Sequence, residues 1–598
     1  MTAVGAAAGL VAGLSPTGAT QAVAVPPQRS AKETAAVQAI KNPRVAWRRC
    51  APGLQCGELT VPLDYQDLDK GVIKLPITRR PADQPKRRIG SLFTNPGGPG
   101  GPATQTVPYF SEVVGSEVRA RFDVVGLAPR GVEGEDYALC EGDLPGADDA
   151  VARLTYPLNA DEANSLLAGD EKMRKACAKG PEILKHMSTA DVARDMDLAR
   201  RALGDKKLTY YGVSYGSYLG ATYAAMFPGK IRALVVDGVL DPVAWSTGHG
   251  REGTAIPVTE RILSGQGAKQ AFEALLDECE RVGTSRCPEA GTLRRDWHAI
   301  MAALADGPVD LGEDVVLRED DVVGMVTTIL YSYEEAGMLP QSLHGLATQL
   351  GVLANAQTMQ ASSKRAEARN KARKAEAEQK ARAALQDLRE SASEAERSRP
   401  AGKAKQTGAK VSQAAQQSSR AQQGRRGPGF VPLEGPAVGG TEEEPPAGPM
   451  RYDASFHGVL CSDSVNPSSP SAWLAANQRV REENGGFGQL WLWSSSVCAG
   501  WPAQAAQAYR GPFTKKTSAP VLVMTSEYDP ATPASGAQAY RGMLKTSRLV
   551  TVKGAWAHAT LGLSQCSDKI RTRYLVTGKA PARDVVCQPD HPLFTQLD

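Results

Sequence analysis

The 598-residue chain is 42% apolar and 22% charged, an ordinary globular composition with room for two or more domain-sized cores, which excludes collagen-like, fully disordered and coiled-coil architectures. Its 69 basic and 65 acidic side chains leave a net charge of +4, too small over this length for a whole-protein nucleic-acid binder or a polybasic membrane anchor. No run reaches the roughly 18 apolar residues that a membrane-spanning helix needs.

At the start, residues 3–14 (AVGAAAGLVAGL) form an apolar run of signal-peptide length, and Ala22-Val23-Ala24 supplies a small-residue cleavage site. Residues 1–24 are therefore expected to be a signal peptide, and the mature protein to be secreted. No basic residue precedes Arg29, and no cysteine near the cleavage site offers a lipid anchor. Ten cysteines in an exported chain suggest disulfides. They fall as neighbours at Cys50/Cys56, Cys140/Cys177, Cys279/Cys287, Cys461/Cys498 and Cys566/Cys587, and the sequential pairing is expected because each pair brackets a local loop. Their spacings, with no nearby histidine, do not make a zinc site.

Short apolar runs bounded by turn residues predict strands over 73–78, 89–94, 122–127, 208–211, 233–236, 521–525 and 549–552, with helical patterns between them. This alternation specifies an α/β fold with a mostly parallel sheet. After the second run comes Asn95-Pro-Gly-Gly-Pro-Gly-Gly-Pro, where glycines let the backbone approach a substrate and prolines stiffen the loop. A phosphate cradle is excluded because the lysine and hydroxyl of a P-loop are missing.

The fourth of these runs leads into Gly212-Val213-Ser214-Tyr215-Gly216 and then a helix pattern. A bare G-x-S-x-G is weak evidence, but between a strand and a helix it is a nucleophile elbow: a sharp turn that exposes the serine hydroxyl over a helix N-terminus. Ser214 is the candidate nucleophile. A plain strand–turn–helix corner is the bland alternative.

Strand patterns stop near residue 240 and resume near 520. The intervening region is helix-patterned, including 270–282 and 320–335, and is expected to be a cap (244–512) inserted between two parts of a core (45–243 and 513–598). Within it, residues 361–430 hold 17 Lys or Arg against 7 Asp or Glu, so the basicity of the protein resides there. Pairs such as Glu367/Lys371 and Glu376/Lys380 support a solvated helix with almost no apolar face. The Gln, Ser, Gly and Pro-rich stretch to about Pro446 is expected to be disordered. A solvated spacer is the plain reading of this low-complexity insert; a weak contact with anionic cell-surface polymer is the functional alternative.

A serine hydroxyl needs a base to take its proton and an acid to orient that base; in this architecture both follow the serine, acid first. Asp529 lies in the loop just after the run 521–525, and His558 follows the run 549–552. Glu527 and Asp568 are the reserve acids; His591 lies outside any strand-end context. Two N–H donors are needed for the oxyanion. Tyr215, after the nucleophile, supplies one, and Gly98 in the glycine loop the other, with Gly97 as second choice.

These residues, together with Trp47-Arg-Arg-Cys50, Leu59-Thr-Val-Pro-Leu-Asp-Tyr65, Pro129-Arg-Gly-Val132, Val236-Asp-Gly-Val-Leu-Asp-Pro242, Cys498-Ala-Gly-Trp-Pro502 and Asp529-Pro-Ala-Thr-Pro533, resemble the secreted actinobacterial tripeptidyl aminopeptidases. Those are α/β-hydrolases related to proline iminopeptidases, in peptidase family S33. The likeness covers roughly residues 45–355 and 450–598. It implies a triad of Ser214, Asp529 and His558, an acyl-enzyme, no metal or organic cofactor, and release of short N-terminal peptides, tripeptides above all, from peptides with a free amine. Two departures bear on specificity: Ala128 stands where the family commonly has Asp before Pro-Arg-Gly, and Glu133-Gly-Glu135-Asp136 replaces a glycine-rich continuation. Glu133, Glu135, Asp136, Glu252 and Glu260 are candidates to hold the substrate amine, each equally readable as a solvated surface acid. The rivals are a carboxylesterase with the same triad and a non-catalytic surface-binding protein using the basic insert.

Overall fold

A computed structural model describes residues 31–142, 156–305, 307–312, 315–352 and 450–594. The signal-peptide expectation (1–24) and the basic insert (361–446) lie outside the described residues.

Among the described residues fourteen strands are formed: β1 (Arg48–Ala51), β2 (Leu54–Pro62), β3 (Val72–Arg80), β4 (Gly90–Asn95), β5 (Phe122–Leu127), β6 (Leu139–Gly142), β7 (Leu208–Val213), β8 (Ile231–Asp237), β9 (Val309–Asp310), β10 (Val316–Leu317), β11 (Met450–Asp453), β12 (Val521–Tyr528), β13 (Arg548–Trp556) and β14 (Val585–Cys587). Ten of them make one sheet in the order β1-β2-β3-β5-β4-β7-β8-β12-β13-β14. Pairing is antiparallel from β1 to β5 and parallel from there to β14, the mostly parallel sheet that the apolar runs specify.

Successive residues of the central strands serve opposite faces, as a period of two requires. Phe93, Val125, Tyr210, Leu234 and Val523 enter one core with the helices Thr189–Ala202 and Tyr215–Met226. Leu92, Val124, Tyr211, Val235 and Leu522 enter the other, which continues into Phe272, Val326 and Trp473 of the helices Ser264–Val282, Glu319–Ile329 and Ser471–Trp493. Both faces are covered, which is why these strands read as unbroken apolar runs.

None of β9, β10 and β11 joins the large sheet; β11 instead pairs with β6, Tyr452 facing Cys140. The five disulfides are Cys50–Cys56, Cys140–Cys177, Cys279–Cys287, Cys461–Cys498 and Cys566–Cys587, the sequential pairing. Among the described residues no helix is long and apolar enough to cross a membrane.

Arg130 of the Pro-Arg-Gly motif is a fully buried bolt under the β5 loop. It grips Asp195 with two parallel hydrogen bonds of 2.8 and 2.7 Å and donates to the carbonyls of Pro62, Leu63 and His186. Tyr65 donates to the same carboxylate at 2.7 Å. Removing one member of such a pair strands a charge in the interior. Arg130→Ala is expected to lower unfolding stability by about 3–5 kcal/mol, read as the shift in a urea midpoint; a change within error would show that the pair carries no net stability.

Candidate active site

Ser214 stands between β7 and the helix Tyr215–Met226 with φ 57° and ψ −127°, a left-handed conformation that a serine adopts only under constraint, at a cost of about 1–3 kcal/mol. The constraint is local. Its N–H donates to Asp237 O at 2.9 Å and its carbonyl accepts from Ser217 N–H at 2.7 Å. Gly212 and Gly216 have no room for side chains: a Cβ on Gly212 would lie 2.3 Å from Gly216 O, and one on Gly216 would lie 2.8 Å from Asn95 O. The Ser214 hydroxyl is half-buried and makes no hydrogen bond among the described residues.

The glycine loop lies directly on this turn. A Cβ on Gly97 would sit 2.7 Å from Ser214 Cβ and 3.2 Å from Tyr215 N. Gly97 N–H is already taken, donating to Asn95 Oδ1 at 3.0 Å, whereas Gly98 N–H has no partner among the described residues and is exposed. Tyr215 begins its helix, where backbone N–H groups have no intrahelical acceptor. Tyr215 and Gly98 N–H are thus among the donors left without a partner among the described residues.

Asp529 and His558 meet at the adjacent strand ends of β12 and β13. His558 Nδ1 lies 2.9 Å from Asp529 Oδ1 and 3.1 Å from Oδ2. This contact places the proton on Nδ1 and leaves Nε2 free to act as a base. The carboxylate is fully partnered, accepting also from Ala531 N–H, Thr532 N–H, the Thr532 hydroxyl and Ala559 N–H. Burial pushes Asp529 up, but the charge and hydrogen bond of His558 and these backbone donors hold it below the usual carboxylate range. Burial pulls His558 down, and the charge and hydrogen bond of Asp529 outweigh that and raise it above 6.5. The reserve acids are engaged elsewhere: Glu527 accepts Gly554 N–H at 2.7 Å, and Asp568 pairs with Arg571 at 2.9 Å. His591 is exposed, and its carbonyl accepts from Tyr333.

Asp237, at the end of β8, ties the two halves together, a role the sequence did not reveal. Its carbonyl holds Ser214 N–H, while its buried carboxylate accepts from Thr560 N–H at 3.0 Å, the Thr560 hydroxyl at 2.7 Å and the Tyr211 hydroxyl at 2.9 Å. The next residue, Gly238, packs against His558: a Cβ there would meet the imidazole Cε1 at 3.2 Å. Equally unforeseen is Asp463. It accepts Thr189 N–H at 2.8 Å and the Thr189 hydroxyl, which in turn contacts the Tyr215 hydroxyl. The helix Ser455–Asp463 is thereby pinned to the residue following Ser214.

The acids considered for the substrate amine are scattered. Glu133 accepts from the Thr104 hydroxyl at 2.6 Å; Glu260 is bidentate with Arg479 at 2.7 and 2.8 Å; Glu252 accepts His249 N–H. Glu135 is exposed and Asp136 half-buried. Glu252 and Glu260 line a cavity of about 730 Å³ with Asp241 and Glu483; Ser214, Asp529 and His558 do not line it.

Comparison with known proteins bears on the fold and on the class of enzyme. Residues 92–257 match the family described as alpha/beta hydrolase fold, and residues 483–587 the family described as TAP-like protein. A tripeptidyl aminopeptidase of Streptomyces lividans is 28% identical over 577 residues, covering 93% of this chain and 89% of that protein. The serine protease Hip1 of Mycobacterium tuberculosis is 35% identical over 275 residues, 44% of this chain and 48% of that one. Carboxylesterase B of Mycobacterium tuberculosis is 26% identical over 577 residues, 92% and 91% of the two chains. The protein has the α/β-hydrolase fold. Within that fold the chain is similar over nearly its whole length to a Streptomyces tripeptidyl aminopeptidase, and these relatives make it a serine hydrolase of the peptidase kind.

Proposed function

We propose that the protein is a secreted exopeptidase that releases tripeptides from the free amino end of oligopeptides. Ser214 is the nucleophile, His558 the general base and acid, and Asp529 the group that orients the imidazole. His558 Nε2 takes the Ser214 proton as Oγ attacks the scissile carbonyl, and the Tyr215 and Gly98 amides hold the oxyanion. His558 then returns the proton to the leaving amine. Water, activated by the same imidazole, hydrolyses the acyl-enzyme and restores Ser214. In this reading residues 45–243 and 513–598 form the catalytic core, and 244–512 the cap that selects the peptide end.

The observation that carries the proposal is the Asp529–His558 pair at the ends of β12 and β13, in the same sheet as the Ser214 turn that follows β7, in a chain similar over nearly its whole length to a tripeptidyl aminopeptidase. Five disulfides and the lack of a membrane-crossing helix among the described residues support an extracellular location. A second reading, an esterase with the same three residues, is favoured by the equally extensive likeness to a carboxylesterase.

Paired tripeptidyl p-nitroanilides, one with a free amine and one acetylated, separate the two. The free-amine substrate is expected to be cleaved and the acetylated one to be at least about 100-fold poorer, since a site that hydrogen-bonds a substrate N–H group rejects the analogue that cannot offer it. Equal cleavage of both would overturn the aminopeptidase reading in favour of the esterase, and cleavage of neither would move weight to esters or to a binding role.

A further inference from the structure

The pattern over 320–335 reads as one helix, but the structure breaks it into Glu319–Ile329 and Tyr333–Ala336. Ser332 caps the second piece, its hydroxyl accepting Glu335 N–H, and Tyr331 is left in the joint. There Tyr331 O accepts the N–H of His558 at 3.0 Å, and the two ring centroids lie 4.9 Å apart at 60°. Residue 331 thus steadies the imidazole by backbone and by ring. Its phenol hydroxyl does neither, and it has no hydrogen-bond partner among the described residues although the side chain is part-buried. A part-exposed hydroxyl beside the imidazole, with no protein partner among the described residues, can donate to or accept from a bound substrate.

Geometry narrows what that something is. During acylation the scissile carbonyl lies over Ser214 with its oxygen toward the Tyr215 and Gly98 amides, and the leaving nitrogen must come within reach of His558 Nε2. Tyr331 contacts the imidazole, whereas the glycine loop and the residue after Ser214 stand on the oxyanion side. An extended residue spans about 3.5 Å, so a ring 4.9 Å from the imidazole is close enough to meet the first two residues of a departing peptide.

Resting on the peptidase reading above, we propose that Tyr331 is a substrate-contacting residue of the cap, its hydroxyl hydrogen-bonding the peptide backbone just beyond the scissile bond on the leaving-group side. It makes the enzyme favour true peptides over substrates whose leaving group has no peptide backbone.

Tyr331→Phe tests this, because it keeps the ring on His558 and the backbone bond and removes only the hydroxyl. Wild type and variant are compared on two substrates sharing the same three N-terminal residues, a pentapeptide and a p-nitroanilide. The expected result is a fall of about 3- to 10-fold in kcat/KM for the pentapeptide, the worth of one neutral hydrogen bond. The anilide should change less than about twofold, and the pH profile should not move. Silence on both substrates would show that the residue only buttresses the imidazole and would overturn the proposal. An equal loss on both would do the same by placing the contact on the acyl side. If the wild type cleaves neither substrate while a fluorophosphonate still labels Ser214, the peptidase reading fails and this proposal with it.

Discussion

Ser214→Ala is expected to reduce kcat by about 10⁴- to 10⁶-fold, the cost of removing the nucleophile from a group that acts as a unit. The residual rate would come from the Tyr215 and Gly98 donors and from substrate binding, which the substitution leaves in place. Stability should hold or rise slightly. Alanine at φ 57° is strained as serine is, but the half-buried hydroxyl it loses makes no hydrogen bond among the described residues. The measurement is single-turnover hydrolysis of the free-amine tripeptidyl anilide, with active-site labelling by a fluorophosphonate as a second readout. A variant that keeps more than about a tenth of wild-type kcat, a loss far below that range, would remove Ser214 from the chemistry.

Asp529→Asn should cost about 10⁴-fold in kcat at neutral pH while leaving the fold intact. The reason lies in the donors around the carboxylate. Oδ1 accepts from Ala531 and Thr532 N–H, Oδ2 from Ala559 N–H and the Thr532 hydroxyl, and both oxygens face His558 Nδ1. An amide keeps the Oδ1 contacts by placing its NH₂ at the Oδ2 position, where it opposes Ala559 N–H and donates toward Nδ1. The imidazole must then carry its proton on Nε2, the tautomer that cannot take a proton from Ser214. The pH dependence moves as well. Asp529 raises His558 above 6.5, and the base must be neutral to act, so the acid limb of kcat/KM in the wild type lies above that value. Losing the carboxylate lowers the imidazole pKa and shifts the limb to lower pH, on a much reduced plateau. A variant with a wild-type plateau, or with its limb unmoved, would show that Asp529 does not orient the base.

The central parallel strands β4, β5, β7, β8 and β12 were legible because they are buried on both faces and so read as apolar runs, whereas the short, half-exposed parallel strand β14 was not. The strands that escaped are of another kind. β1 is Arg-Arg-Cys-Ala with mostly exposed side chains, and β6 finds its partner β11 only across more than 300 residues of chain. The helix pattern over 320–335 has the right periodicity throughout, yet the chain turns at Tyr331, because Ser332 caps a new helix and His558 N–H takes the Tyr331 carbonyl. Local propensity carries no record of a partner that arrives from residue 558.

For the candidate site, the sequence alone singled out Ser214, Asp529, His558 and the glycine loop, because each stands in a context set by short-range rules: a strand, a tight turn of small residues, a strand-end loop. It also specified the α/β class and the neighbour pairing of the cysteines. Only the tertiary structure commits Gly97 N–H to Asn95 and shows that Glu133, Glu252 and Glu260 already have partners. Only it revealed Asp237, Asp463 and Tyr331. Their roles consist of contacts between segments remote in the chain, and such contacts leave no trace in periodicity or in motif.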